Sequence, residues 1–465
     1  MAEVSFLGKL KHWTGLDRAI VFTVFGRFWS AFVALITVLL IARYLSPSQQ
    51  GYYYTFFSLV ALQIVFELGF SFVILQLAAH ECTHLTFLPG GDIAGSAVPH
   101  SRLASVLQKA VRWYSVAAVL MALVVLPAGL YFFSTHHKSG TEIAWKAPWC
   151  LLVLSATLTF QIDPVFSFLE GCGYVAQVAR TRLMQSMLGA VLSWTAMLTH
   201  HGLFSPAMMI IGQAAAGIIF LFTSPRRDLL IGLFRFKVQE HFVSWRREIW
   251  PFQWRIALSW LCGYFIFQIF TPVLFAYQGP IVAGQMGMSL TVSSGIGSIA
   301  IAWMSTKAPV YGNLIARREF SQLDKIFFTA LRQSTVLVIL GASTFLLFLQ
   351  LAETRFPHLS SRVLPPRIFI LLLLTTIMNH VMFCEAIYLR AHKREPFLGI
   401  TVIGSILLTI STLLLGRFVG AGAVAVGYFG ITTLFSLPAG TYIFITKRRE
   451  WHDNTKVTMA IPGSE

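Results

Sequence analysis

The sequence predicts an all-α polytopic membrane protein with about twelve transmembrane helices. Three observations lead there. Hydrophobic residues make up 56% of the chain, charged residues only 12%, and mean hydropathy is +0.70. Apolar runs long enough to span a bilayer recur with short polar gaps. The 465 residues hold about twelve runs of ~20–27 residues and leave almost nothing for a soluble domain.

In chain order the expected spans lie near 18–43, 51–79, 110–133, 148–171, 180–199, 203–222, 251–277, 281–306, 326–350, 367–390, 396–416 and 421–446. The first 17 residues are polar and mixed, so no cleavable signal peptide is expected. Arg18 to His80 reads as two long helices joined by the turn Leu45-Ser-Pro-Ser-Gln-Gln-Gly51. Residues 80–109 and 223–250 are the longer loops on one side. Most of the 35 Lys and Arg residues fall on that side and on the two tails. By the positive-inside rule this places both termini in the cytoplasm. Topology thus accounts for most of the net charge of +16, and no nucleic-acid partner is expected.

The loop 223–250 mixes Arg226, Arg227, Arg235, Lys237, Arg246 and Arg247 with Leu229, Leu230, Ile231, Leu233, Phe234 and Phe236. That pattern suits an amphipathic segment lying on anionic lipid. It divides the chain into a six-helix lobe at 1–222, a basic cytoplasmic linker at 223–250, a second six-helix lobe at 251–446 and a cytoplasmic tail at 447–465. A weak repeat agrees with this division: Tyr44 precedes Gly51 by the same interval as Tyr277 precedes Gly284. Gly284, Gly287, Gly295 and Gly297 line the eighth span, where small residues permit close packing of membrane helices. The five cysteines form no CxxC pair and read as small apolar residues, without a disulfide framework.

Charges inside spans need a reason, since each costs roughly 2.5–3.5 kcal/mol on insertion scales. Arg27, Glu67 and Asp163 all fall in the inner half of the core by the helical rise, so they are expected to pair or to line water. Arg27 and Glu67 are the expected pair, and Pro164 is expected to kink the helix beside Asp163. In the second half, His380 and Glu385 lie toward the inner end of the tenth span, with Arg390 or Lys393 as surface partners for Glu385. Arg255 and Lys307 sit at inner span ends, where snorkelling is the ordinary role.

His80-Glu81-Cys-Thr-His84 fits the HExxH pattern of zinc peptidases. That chemistry also needs a stable helix and a third ligand. His100 and Asp92 lie at no recognisable spacing, so the stretch reads as a polar helix end, and no metal or cofactor is expected.

The stretch Arg43-Tyr-Leu-Ser-Pro-Ser-Gln-Gln-Gly51-Tyr-Tyr, with Arg27 before it and Glu67-Leu-Gly69 after it, resembles the bacterial polysaccharide flippases of the multidrug/oligosaccharidyl-lipid/polysaccharide exporter superfamily. Ala283-Gly-Gln-Met-Gly287-Met-Ser and Thr306-Lys-Ala-Pro309 add to the resemblance. It implies two six-helix lobes around a central cleft, in the bacterial cytoplasmic membrane. It also implies a polyprenyl-pyrophosphate-linked glycan as substrate, with membrane lipid and other glycan-assembly membrane proteins as partners. Arg27, Arg255 and Lys307 then become substrate-binding candidates, and Glu67, Asp163, His380 and Glu385 ion-coupling or cleft residues. The second half holds few buried cations for such a cleft. The alternative is an H⁺- or Na⁺-coupled exporter of small cationic compounds on the same fold. A membrane zinc peptidase using His80, Glu81 and His84 is the enzymatic alternative.

Overall fold

A computed structural model describes residues 18–87, 93–136, 143–223, 226–238, 242–392 and 394–459. Every predicted span has a helical counterpart. Their ranges are α1 (Arg18–Tyr44), α2 (Pro47–Val60), α3 (Gln63–Glu67), α4 (Phe70–Cys82), α5 (Ala97–Thr135), α6 (Lys146–Gly171), α7 (Val175–Leu198) and α8 (Ser205–Thr223). After the short α9 (Arg227–Arg235) come α10 (Trp250–Phe267), α11 (Phe270–Gln278), α12 (Pro280–Ser305), α13 (Ala308–Ala316) and α14 (Phe320–Arg355). A single turn, α15 (Pro357–Ser360), leads to α16 (Pro366–Ala391), α17 (Leu398–Phe418), α18 (Ala421–Ile431) and α19 (Leu437–Met459).

Eight of these segments are each long and apolar enough to cross a bilayer, and two bent pairs bring that to ten. The two that fall short are α1, whose described apolar part is Trp29–Tyr44, and α7, which carries Arg180 and Arg182. Outward-facing side chains such as Val336, Leu340, Leu347 and Leu351 are exposed and apolar, as lipid-facing positions should be.

Several boundaries differ from the sequence reading. The second span is broken into α2, α3 and α4, with a 46° bend across Leu68-Gly69. The span predicted at 251–277 is bent by 40° between α10 and α11. The helix predicted from 110 begins thirteen residues earlier, at Ala97, and the hairpin β1 (Leu85–Phe87) and β2 (Ile93–Gly95) precedes it. The α6 helix runs through Pro164 without a break.

The chain divides into two compact units. One comprises residues 1–45 and 56–261, the other 46–55 and 262–465. In the first unit, Ile162, Phe166, Leu169, Val178 and Ala214 form a buried cluster among α6, α7 and α8. A Cβ on Gly212 would lie 2.7 Å from the Cα of Gly189, so α7 and α8 meet backbone to backbone. The amphipathic segment expected on lipid docks on protein here. Leu229 and Leu233 of α9 are buried, and Gln108 donates to the carbonyls of Leu233, Phe234 and Phe236.

In the second unit, Tyr311, Leu323, Phe327, Tyr388 and Phe444 centre the core. The start of α2 packs in this unit. Gln50 Nε2 donates to the carbonyls of Gly284 and Arg362, each at 2.8 Å. A Cβ on Gly51 would fall 1.9 Å from the Pro280 carbonyl oxygen, and one on Gly284 would lie 2.8 Å from Gly51 N. The two glycines that marked the sequence repeat therefore face each other across one helix crossing.

Candidate functional site

The break in the second span builds the site. Leu68 and Gly69 both adopt left-handed backbone, with φ of 51° and 65°. For leucine that conformation is strained, and glycine takes it freely. A Cβ on Gly69 would also sit 2.4 Å from Ile256 Cγ2, so position 69 has no room for a side chain. The break ends α3 at Glu67 and restarts the helix at Phe70. Phe70 is held by Tyr114, Trp113 and Trp245 at centroid distances of 6.2, 6.1 and 5.1 Å.

Glu67 accepts a hydrogen bond from Ser71 Oγ, one turn on, and another from Tyr114 OH at 3.4 Å. Tyr114 is fully buried and packs on Phe160 of α6, one turn before Asp163. Asp163 is half-buried, and both carboxylates lie within electrostatic reach of Arg182 on α7. Arg182 itself donates from Nε to Glu170 at 3.3 Å. The break and α5 thus bring Glu67, Ser71 and Tyr114 into one hydrogen-bonded group within the first unit, with Asp163 and Arg182 in its electrostatic neighbourhood. Two carboxylates with adjacent hydroxyl donors can bind and release a proton or a hard monovalent cation.

The sequence placed Glu67 and Asp163 at one depth, and the structure brings them into one electrostatic neighbourhood. It missed Ser71 and Tyr114, whose hydroxyls give no signal in an apolar run, and Arg182, which reads as an interfacial anchor. The described partners of Glu67 are these hydroxyls. The Arg27 side chain lies outside the described residues. Arg255 is exposed, with its guanidinium 5.5 Å from the Trp254 ring centre. Lys307 is half-buried at the turn between α12 and α13.

In the second unit, Glu385 is 3% exposed and accepts from Thr441 Oγ1 at 2.9 Å. Its Oε2 finds no hydrogen-bond partner among the described residues. The expected pairing with Arg390 is corrected: Arg390 pairs with Glu395 at 2.7 Å, because Glu385 points inward toward α19. His380 is also buried and shares a hydrogen bond with Ser334 Oγ at 2.9 Å. Nearby, Asp324 takes two hydrogen bonds from Arg448 and one from Tyr388 OH, a cluster joining α14, α16 and α19 that sequence spacing did not reveal.

The HExxH stretch resolves into a different polar arrangement. Helix α4 ends at Cys82, inside the motif. Glu81 is 3% exposed and accepts from Arg102 Nε at 2.8 Å, and Arg102 also donates to Glu248 at 2.6 Å. His80 is exposed, with a ring centroid 6.3 Å from that of His84. Among the described residues no three His, Cys, Asp or Glu side chains converge as metal ligands. Glu248, in the turn Trp245–Ile249, loses solvation on burial, but hydrogen bonds from Arg102 and the Ser244 N–H, with the charges of Arg102 and Lys109, hold its carboxyl below the ordinary range.

No protein-family model matches the sequence, and no curated protein does. Solved structures do match over nearly the whole chain. An inward-facing multidrug resistance MATE family transporter of the MOP superfamily aligns with a TM-score of 0.68 at 14% identity, covering 91% of this chain and 96% of its own. The MATE multidrug transporter DinF-BH aligns at 0.61 and 13% identity, covering 92% and 94%. The lipid II flippase MurJ, in an inward closed conformation, aligns at 0.59 and 14% identity, covering 96% and 94%. At such identities the likeness is one of fold: this chain has the all-helical polytopic fold of MOP superfamily transporters.

Proposed function

We propose that the protein is an ion-coupled flippase that moves a polyprenyl-pyrophosphate-linked oligosaccharide from the inner to the outer leaflet of the bacterial cytoplasmic membrane by alternating access. The observation that carries the transport reading is the helix break at Leu68-Gly69, which seats Glu67 on two hydroxyls beside Asp163. A backbone break inside a span is unfavourable in hydrocarbon and is typical where a helix holds an ion or bends. Glu67 and Asp163 take up a proton or Na⁺, and the loss of that charge changes their hold on Arg182 and on the break.

The substrate class rests on the cations and on the sequence resemblance. A diphosphate leaving water needs fixed donors, and the guanidinium of Arg27 presents a fork of N–H groups suited to phosphate oxygens. Arg255, exposed, and Lys307, at a helix junction, are the further cations in this reading. The fold likeness to a lipid II flippase supports a lipid-linked cargo. In this orientation both termini face the cytoplasm. Membrane lipid and other glycan-assembly proteins are the partners.

A second reading has a specific observation in its favour. The described polar residues of the patch centre on two carboxylates, which suits export of small organic cations against H⁺ or Na⁺, and multidrug transporters share the fold. Depletion separates the two. A flippase leaves its lipid-linked glycan accumulated on the inner leaflet, whereas an exporter changes resistance to cationic compounds and leaves glycans unaltered. Under the flippase reading, an Arg27→Ala variant inserts normally and abolishes glycan display; full display from a fully expressed variant rules the reading out.

A further inference from the structure

In the sequence the cysteines read as small apolar residues, but the fold brings two of them together. Cys82 closes α4 and Cys172 follows the last residue of α6, ninety positions on. Their sulfur atoms are 3.2 Å apart, and both thiols are free. The backbones beneath them are already in contact. A Cβ on Gly171 would lie 2.6 Å from the Leu75 carbonyl oxygen, 2.7 Å from Ala78 Cβ and 3.1 Å from Ala79 N. Cys82 lies one turn past Ala78 on the same helix face, next to that crossing.

The geometry points to a reversible disulfide site: Cys82 and Cys172 are joined by a peroxide oxidant, which ties the end of α4 to the end of α6. The S–S bond of ~2.05 Å asks for an approach of about 1.1 Å, well within side-chain rotation at a helix end. Half-exposed Cys82 meets the oxidant, while Cys172 is buried. The hydrogen bond with Cys82, and then burial, push the Cys172 thiol well above its ordinary value.

The Cys82 thiolate attacks one oxygen of hydrogen peroxide. The O–O bond breaks, hydroxide leaves with the released proton as water, and Cys82 becomes a sulfenic acid. Cys172 then gives up its proton and attacks that sulfur. The S–O bond breaks and a second water leaves. Two thiols are oxidised by two electrons in all, and one peroxide is reduced to two waters. A cellular dithiol reverses the bond by exchange, so on a reducing face of the membrane the pair acts as a sensor. The tether joins the helix that restarts after the Glu67 break to the helix that carries Asp163, and it fixes the two against each other. This inference stands whether the substrate is a glycan or a drug.

The test uses the full chain in native membranes. Samples are treated with hydrogen peroxide, quenched, denatured and labelled with a maleimide, and labelled thiols are counted by intact mass. The unoxidised chain shows five. We expect three after peroxide and five again after dithiothreitol, with peptides containing residues 82 and 172 linked. Cys82→Ser retains all its thiols under the same treatment, and Cys172→Ser forms no internal link. Five labelled thiols after peroxide, a sulfinic acid at Cys82 without a linked peptide, or linkage of Cys82 to a second chain would each overturn the proposal. If either serine variant fails to accumulate, peptide mapping of the wild-type chain decides alone.

Discussion

At the scale of single residues, Glu81 shows how a buried carboxylate serves structure. Glu81 is almost fully buried and meets a guanidinium at 2.8 Å. It reads as part of a fixed clasp, since Arg102 joins α4, α5 and the turn before α10 through Glu81 and Glu248. Removing the cation leaves a buried charge uncompensated. An Arg102→Ala variant should lose about 3 kcal/mol, the low end for breaking a buried pair, because Arg102 is a quarter exposed. Denaturant unfolding in detergent measures it, and an unchanged stability would show that the clasp is ornamental.

Glu248 adds a pH dependence with a definite sign. Its folded carboxyl lies below its ordinary value of 4.5, so the stability it contributes is present above that pH and is lost as pH falls through the folded value. Wild type and Glu248→Gln should therefore differ in unfolding midpoint at neutral pH and converge as pH falls below the ordinary carboxylate range. A gap that widens on acidification would contradict the assigned cause.

At the scale of elements, glycines decide which helices can meet or break. Gly51 faces the Pro280 carbonyl so closely that a methyl group has nowhere to go. Backbone must move to admit it, and Gly51→Ala should destabilise by about 3 kcal/mol or more, beyond ordinary core overpacking. Gly69 carries two demands at once, a left-handed backbone and a missing Cβ. Gly69→Ala should straighten or displace the break, and transport should fall more than expression does. Paired spin labels placed before and after the break on the second span would report the angle, and an unaltered angle with full transport would refute the role given to the break. Gly295 has open space around it, and Gly295→Ala serves as the control on the eighth span.

At the scale of the whole molecule, coupling is the property to measure. In proteoliposomes, collapsing the coupling gradient should stop transport by wild type. Glu67→Gln should lose dependence on that gradient. Transport by wild type that is indifferent to both H⁺ and Na⁺ gradients would remove ion coupling from the reading. The membrane class, the positions of the helices and the two carboxylates could be read in the sequence because hydropathy and helical rise act locally. Twelve apolar runs announce themselves, and a charge inside one of them is conspicuous. The docking of α9 on α5 has no signature in the sequence, since Leu229 and Leu233 look equally apolar against lipid or protein.

What the sequence determined by itself is the solvent of each segment. Composition decides which runs enter hydrocarbon, and the cost of a charge there singles out Arg27, Glu67 and Asp163. What only the tertiary structure decided is who meets whom. Ser71 and Tyr114 around Glu67, Arg102 across Glu81, Thr441 on Glu385 and Cys82 against Cys172 are all contacts whose members no local pattern pairs. Their meaning comes from helix crossings, and a crossing depends on the shape of two surfaces at once, which no single stretch of chain encodes.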